Sequence, residues 1–268
     1  MTDPSIFFLS DFGRQDEFVG VVHAVLRRFA PKVPVIDLTH EIDAFNIRAG
    51  ALTLLRSVNF LGSGVVLAVV DPGVGTDRRP VAIEVEAEHG PRFFVGPDNG
   101  LLIDAAERLG QVIAAYELNT TISTGAVTFD GRDRFAPAAA FLASGGDPTS
   151  RYPALAVDSL ARLPSHLADA TLIGGGAAAL ATVASIDAYG NCALDRPGSD
   201  LPELGSVLNI SVGNATSLVT SVAAFGDLPL GGLGVLVDSS SNLAIVVNQG
   251  SAAETLELEV GSHVTFTA

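Results

Sequence analysis

The sequence predicts two domains of different class: an α/β N-terminal domain with a mostly parallel sheet, then a small all-β, barrel-like C-terminal domain. Three observations predict it. Over residues 1–143, short apolar runs alternate with stretches of helical periodicity, which is the pattern of βαβ units around a parallel sheet. From Ser144-Gly-Gly-Asp-Pro148 through Pro153 to Pro164 no periodicity is sustained, so the linker falls within 151–170. Past it, short β-type runs are broken by Gly, Asn and Asp, as in a small antiparallel barrel or sandwich. The predicted domains are therefore 1–150 and 171–268.

Ser5–Ser10 reads as a buried strand ending before Asp11. Over Asp16–Phe29, the residues Phe18, Val22, Val25, Leu26 and Phe29 recur at helical spacing until Pro31. Val33–Thr39 is the next strand, Ile47–Val58 the next helix, and Val65–Val70 a third strand before Asp71. Strands follow at Val81–Ala87, Phe93–Gly96 and Val112–Leu118, with a helix at Leu101–Leu109. Asp11, Asp37 and Asp71 are expected at strand carboxyl ends, where open α/β sheets bind ligands. Capping of the following turn is an equal reading of Asp37. In the second half, strands are expected at Ala181–Ile186, Val207–Val212, Ser217–Ala223, Leu233–Val237, Leu243–Val247 and Thr255–Val260.

Composition narrows the function. With 48% apolar and 17% charged residues the chain can bury a core, and disorder is excluded. A net charge of −15 argues against a nucleic-acid partner, since phosphate contacts need clustered Lys and Arg. No apolar run approaches about 18 residues, so no membrane span is expected. Met1-Thr-Asp-Pro-Ser has neither a basic nor an apolar leader segment, which makes a cytoplasmic enzyme the expectation. The one cysteine, Cys192, has no intrachain partner and is expected to be a packed thiol. No two of the five histidines have metal-ligand spacing, so no metal site is expected. Ile173-Gly-Gly-Gly opens no nucleotide-binding unit and reads as inter-domain backbone.

Four segments carry chemistry. Ser10-Asp-Phe-Gly-Arg-Gln-Asp16 is a polar strand-to-helix turn in which a carboxylate suits a vicinal diol such as ribose. Asp71-Pro-Gly-Val-Gly-Thr-Asp-Arg78 is a glycine-rich loop after a buried strand, without the Lys-Ser/Thr ending of a phosphate loop. Asp71 and Arg78 bracket it, either as an ion pair within a site or as a brace for the loop. Thr128-Phe-Asp-Gly-Arg-Asp-Arg-Phe-Ala-Pro137 opens an Ala-rich helix, and Gly131 leaves room beside the backbone for a small ligand. Ile186-Asp-Ala-Tyr-Gly-Asn191 offers a ring, an amide and a carboxylate, a set suited to a purine.

Six ordered motifs, spanning residues 6–253, resemble the S-adenosylmethionine hydroxide adenosyltransferase family, relatives of the fluorinase and chlorinase enzymes. They are Phe8-Leu-Ser-Asp-Phe-Gly, Asp71-Pro-Gly-Val-Gly-Thr, Val95-Gly-Pro-Asp-Asn-Gly-Leu-Leu, Thr128-Phe-Asp-Gly-Arg-Asp, Ile186-Asp-Ala-Tyr-Gly-Asn and Val246-Val-Asn-Gln-Gly-Ser-Ala-Ala. The resemblance implies hydrolysis of S-adenosylmethionine, as substrate and without cofactor or metal, to adenosine and methionine. It also implies a C-terminal β-barrel and a homotrimer with active sites between subunits. Asp11 would hold the ribose hydroxyls, Phe45 would pack beside the substrate, and Phe129 and Gly131 would be substrate-binding residues. Tyr189 and Asn191 would hold adenine, with Asp187 in the same loop. Ser239, Ser240 and Asn248 would lie at the methionine end.

By the same resemblance, the hydrolases orient the attacking water with an Asp, an Arg and a His. Asp71 and Arg78 match the first two, but Asp130 stands where relatives have His. Three readings of Asp130 remain open: a working substitute, a weakened site, or an altered residue. A halide adenosyltransferase is the alternative enzyme. Halogenating relatives place Tyr where Asp71 stands, and a carboxylate there repels a halide. Fluorinases also carry a long insertion where only Glu88–Pro91 stands here. A non-catalytic S-adenosylmethionine or adenosine binder is the alternative from another class.

Overall fold

A computed structural model describes residues 3–122, 128–164 and 178–267. The chain divides into two units, Met1–Pro164 and Ser165–Ala268. His166 and the glycines of 174–176 lie outside the described residues.

The first unit runs β1 (Ser5–Ser10), α1 (Phe18–Phe29), β2 (Val35–Thr39), α2 (Ile47–Ser57), β3 (Gly64–Val69), β4 (Pro80–Glu86), β5 (Pro91–Pro97), α3 (Ile103–Leu109), β6 (Gln111–Glu117), α4 (Ala136–Ala143) and β7 (Ala154–Leu155). The sheet order is β2-β1-β3-β5-β4-β6-β7. Strands β1, β2, β3, β5 and β6 point one way, whereas β4 and β7 run against their neighbours. The predicted mostly parallel sheet is thus present, with a β4–β5 hairpin inserted.

Helices cover both faces, so the central strands are apolar without alternation. In β1, Ile6 and Phe8 join one core with Val22 and Leu26 of α1 and the alanines of α4. Phe7 and Leu9 join the other with Leu54 of α2 and Ala105 and Ala106 of α3. In β3, Val65, Leu67 and Val69 divide from Val66 and Ala68 in the same way. Residues 151–164 belong structurally to this unit. β7 pairs with β6, and the Ala161 N–H donates to Asp98 Oδ1 at 2.8 Å.

The second unit is a closed barrel of β8 (Ala179–Ile186), β9 (Cys192–Pro197), β10 (Val207–Val212), β11 (Ala215–Ser221), β12 (Leu233–Val237), β13 (Asn242–Val247) and β14 (His263–Thr267), with a short α5 (Ala252–Thr255). The order around it is β10-β11-β12-β13-β9-β8-β14. All its pairs are antiparallel except β11–β12.

Two strands escape the pattern reading, and one predicted strand is absent. In β9 the charged Asp195 and Arg196 disguise a buried strand. Arg196 pairs with Asp200 at 2.6 Å, and Asp195 accepts the Thr182 N–H at 2.7 Å. β14 follows the expected position of the last strand. The stretch Thr255–Val260 forms no strand because the N–H groups of Leu256, Glu257 and Leu258 donate back to Ala252 O, Glu254 O and Ala253 O at the end of α5, which Ser251 caps. Leu256 and Leu258 still pack into the barrel core, so the apolar alternation there reports burial rather than pairing.

Candidate active site

The carboxyl rim of the first unit's sheet gathers Asp11, Phe45, Asp71, Arg78 and Asp130. Asp11 follows β1, its N–H donating to Val69 O at 3.3 Å, while its Oδ2 accepts the Phe45 N–H at 2.9 Å. That bond ties the β1 turn to the loop before α2. Asn46 then caps α2 by accepting the Ala49 N–H at 3.0 Å. Phe45 has φ of 67° and is 70% exposed. A non-glycine residue costs free energy in that region, and the exposed ring touches little of its own chain.

Asp71 follows β3. Asn99, in the loop after β5, donates from Nδ2 to Val70 O at 2.9 Å and so fixes the backbone next to it. The guanidinium of Arg78 is the hub. Its Nε donates to Asp71 Oδ1 at 3.0 Å and one Nη to Asp71 Oδ2; the same Nη donates to Asp130 Oδ2 at 2.9 Å. The Arg78 side chain is only 8% exposed, and its other nitrogen, Nη1, is buried with no partner among the described residues. A buried cationic N–H without an acceptor is costly, so this donor marks where a polar ligand atom belongs.

Asp130 begins a single π turn, Gly131–Phe135, that leads into α4. Such turns occur mostly where a helix is shaped for a site. A second cation reaches Asp130: Arg134 Nε donates to Oδ1 at 3.0 Å, and its Nη1 to Leu118 O at 3.3 Å. Sequence reading missed Arg134. The signal was its place four residues after Asp130, one helical turn on. Two carboxylates and two guanidiniums make the cluster neutral in sum, so the charge on Asp130 is matched by that on Arg134. Arg132 and Asp133 pair with each other at 2.7 and 2.8 Å.

At Gly131, a Cβ would meet the Phe12 ring at 2.9 Å and the Phe129 ring at 3.1 Å. The room expected there for a small ligand is filled by these rings. Phe129 sits edge-on to Phe12 and Phe18, with ring centroids 5.7 and 5.1 Å away.

Burial, the largest influence, pushes the Asp71 carboxyl above its ordinary value of 3.8; the nearby Asp130 charge adds to this and Arg78 opposes it. A base with a raised pKa is lost sooner on acidification. The acid limb of kcat/KM is therefore expected above 3.8, and a pH–rate profile checks it.

In the barrel unit, Asp187 organises the purine-type turn. Its Oδ1 accepts the N–H groups of Tyr189 and Asn191, both at 2.9 Å, and its Oδ2 accepts Asn191 Nδ2 at 2.8 Å. Tyr189 is left 80% exposed. Gly190, at φ of 81°, is required because a Cβ would meet Ser251 Oγ at 2.1 Å. Tyr189, Asn191, Phe225, Asn248 and Gln249 line a cavity of about 500 Å³. Asn248 therefore groups with Tyr189 and Asn191. Ser239 and Ser240 sit in the turn at the other end of the β12–β13 hairpin, about 20 Å of strand away. There the Ser240 N–H donates to Asp238 Oδ1 at 2.8 Å. One chain does not bring the three predicted methionine-end residues together.

Other features drop out. A cavity of about 920 Å³ opens at the amino ends of the strands, beside Pro4, Val33, Gly64 and Phe93. It contains none of the rim residues, and ligands of such sheets bind at the opposite end. Cys192 is fully buried, and burial, reinforced by Asp187, pushes its thiol up to about 11, which rules it out as a nucleophile. Asp37 lies within β2 rather than at its end, and its side chain meets His23 and His40.

Comparison with known proteins places this geometry. Residues 6–151 match the model of the SAM hydroxide adenosyltransferase N-terminal domain, and residues 181–265 that of its C-terminal domain. The chain belongs to the SAM hydroxide adenosyltransferase family. It is 42% identical over 268 residues to the (R)-S-adenosyl-L-methionine hydrolase of Salinispora arenicola, covering 99% of this chain and 98% of that one. The (R)-S-adenosyl-L-methionine hydrolase of Thermus thermophilus is 36% identical, with 97% and 98% covered. A fluorinase of an Actinoplanes species is 28% identical, with 99% and 98% covered. An uncharacterized conserved protein from Thermotoga maritima has the same fold, with a TM-score of 0.87 at 32% identity over 98% of this chain and all of that one. In this member β4 joins β5 through Ala87–Gly90 alone.

Proposed function

We propose that this protein hydrolyses S-adenosyl-L-methionine to adenosine and L-methionine, using Asp71, Arg78 and Asp130 to place the attacking water. The observation that carries this reading is the Arg78 guanidinium: it grips both carboxylates and keeps one buried donor that has no partner among the described residues. A water accepting from that donor lies beside a carboxylate able to take its proton. Its oxygen forms the new bond to C5′ while the C5′–S pair returns to sulfur. Methionine leaves as a neutral thioether, and one proton passes to a carboxylate and on to solvent. Because the sulfonium is already a good leaving group, fixed geometry supplies several kcal/mol of the acceleration. Preorganised donors in a dry site supply more.

Asp11 takes the ribose hydroxyls. Phe45 and Phe129 flank the substrate, and Tyr189, Asn191 and Asn248 hold adenine. The names of the two hydrolases point to the (R) sulfonium epimer as substrate. The test is incubation with each epimer, with and without chloride, and chromatography of the nucleosides. Adenosine and methionine in equal amounts without halide, faster from the (R) epimer, are expected. A 5′-halo nucleoside or unchanged substrate overturns the reading.

Among the described residues no helix is long and apolar enough to cross a membrane. The assembly we propose is a cytoplasmic homotrimer, with each site shared by the first unit of one subunit and the second unit of its neighbour. Co-expressing Asp71→Ala with Asn191→Ala chains then regenerates about one quarter of the sites by random mixing. No recovery in the mixed trimers refutes shared sites.

A further inference from the structure

The fold brings together three side chains that the proposed hydrolysis does not use. His23 projects from α1, Asp37 from edge strand β2, and His40 follows β2. Asp37 Oδ1 lies 2.8 Å from His23 Nε2 and 3.1 Å from His40 Nε2, and the three ligand atoms lie within 4.8 Å of one another. The 17-residue separation of the histidines hides the pair from any spacing rule, because they come from different elements.

His40 is 1% exposed, its Nδ1 lies 2.7 Å from Ser10 Oγ, and its Nε2 is buried. His40 Nε2 lies 3.1 Å from Asp37 Oδ1, so the two face each other at pairing distance. When Nδ1–H donates to Ser10, the Nε2 lone pair faces a carboxylate oxygen. In that tautomer the two atoms, with His23 Nε2 beside them, form a ready set of donors for one cation.

We propose that His23, Asp37 and His40 bind one divalent transition-metal ion of the zinc type. Two imidazole nitrogens and one carboxylate oxygen are borderline donors that favour zinc-like ions over magnesium or calcium. Tetrahedral bonds of about 2.0–2.1 Å set ligand atoms roughly 3.3 Å apart, so small side-chain shifts complete the site. Ser10 supplies the outer-shell contact that fixes a ligating imidazole. His23 and Asp37 are each about one-third exposed, giving the ion an entry path and solvent a fourth position. The ion would join α1 to β2. His40 O also accepts the Gly13 N–H at 2.8 Å, which extends this brace to the turn that carries Asp11.

The test uses the full-length protein stripped with a chelator, then titrated with Zn²⁺ by calorimetry and with Co²⁺ by visible absorption. One saturating equivalent per chain is expected, with the intense d–d bands of four-coordinate cobalt. His23→Ala and Asp37→Asn should each weaken Zn²⁺ binding by at least about tenfold, while His89→Ala, on an exposed loop, leaves it unchanged. Melting curves without metal establish that the variants fold. His23 is the safer probe, since the buried His40 also packs against Phe8. No saturable binding, or binding unaltered in both His23→Ala and Asp37→Asn, overturns the site.

Discussion

Asp71→Asn is expected to lower kcat about 10²- to 10⁴-fold while leaving KM within a few-fold of the original value. Asparagine keeps the shape and one oxygen for Arg78 but cannot accept a proton at neutral pH. In the proposed site, substrate binding rests on Asp11, Tyr189 and Asn191, which the change does not touch, so the loss falls on the chemical step. Steady-state kinetics with single-turnover measurements separates the two. The acid limb assigned to Asp71 should also vanish from the residual activity. A rise in KM with kcat retained would move Asp71 from the reaction to substrate binding.

Arg78→Ala is expected to damage both activity and stability. It removes the donor for the water and leaves Asp71 and Asp130 as two largely buried carboxylates, one with Arg134 as its remaining partner and one with none of the cluster's cations. Breaking a buried pair from one side costs about 3–5 kcal/mol. In a unit of this size that lowers Tm by roughly ten degrees. The sign of the pH dependence distinguishes this cause from simple loss of packing. A carboxylate whose pKa is raised by folding binds its proton more tightly in the native state, so its penalty is greatest at neutral pH and shrinks on acidification. Thermal melts of the variant and the original chain should therefore converge as pH falls below neutrality. A gap independent of pH would assign the damage to the lost stacking of Arg78 over Phe135, 5.3 Å from the ring centroid.

Much of the first unit was legible in the sequence because its strands are buried on both faces. Continuous apolar runs such as Ser5–Ser10 and Gly64–Val69 have no other stable placement. The barrel was harder to read. Its short strands carry polar residues whose partners lie elsewhere in the chain, as with Arg196 and Asp200 in β9 and its flank. Leu256 and Leu258 imitate a strand only because the core takes their side chains.

Local sequence determined the ordered motifs, the family, and the chemical types at Asp71, Arg78, Tyr189 and Asn191. Bond geometry over a few residues is enough for a turn such as Asp187–Asn191, where one carboxylate holds two backbone N–H groups and a side-chain amide. Only the tertiary structure decided that Arg78 spans 52 residues to reach Asp130 and that Arg134 balances it. Only it grouped Asn248 with Tyr189 and set His23 against His40. The reason is physical: a side chain's partner depends on which elements the sheet and barrel bring side by side. Burial then fixes whether each charge must be paired, and neither property is local in sequence.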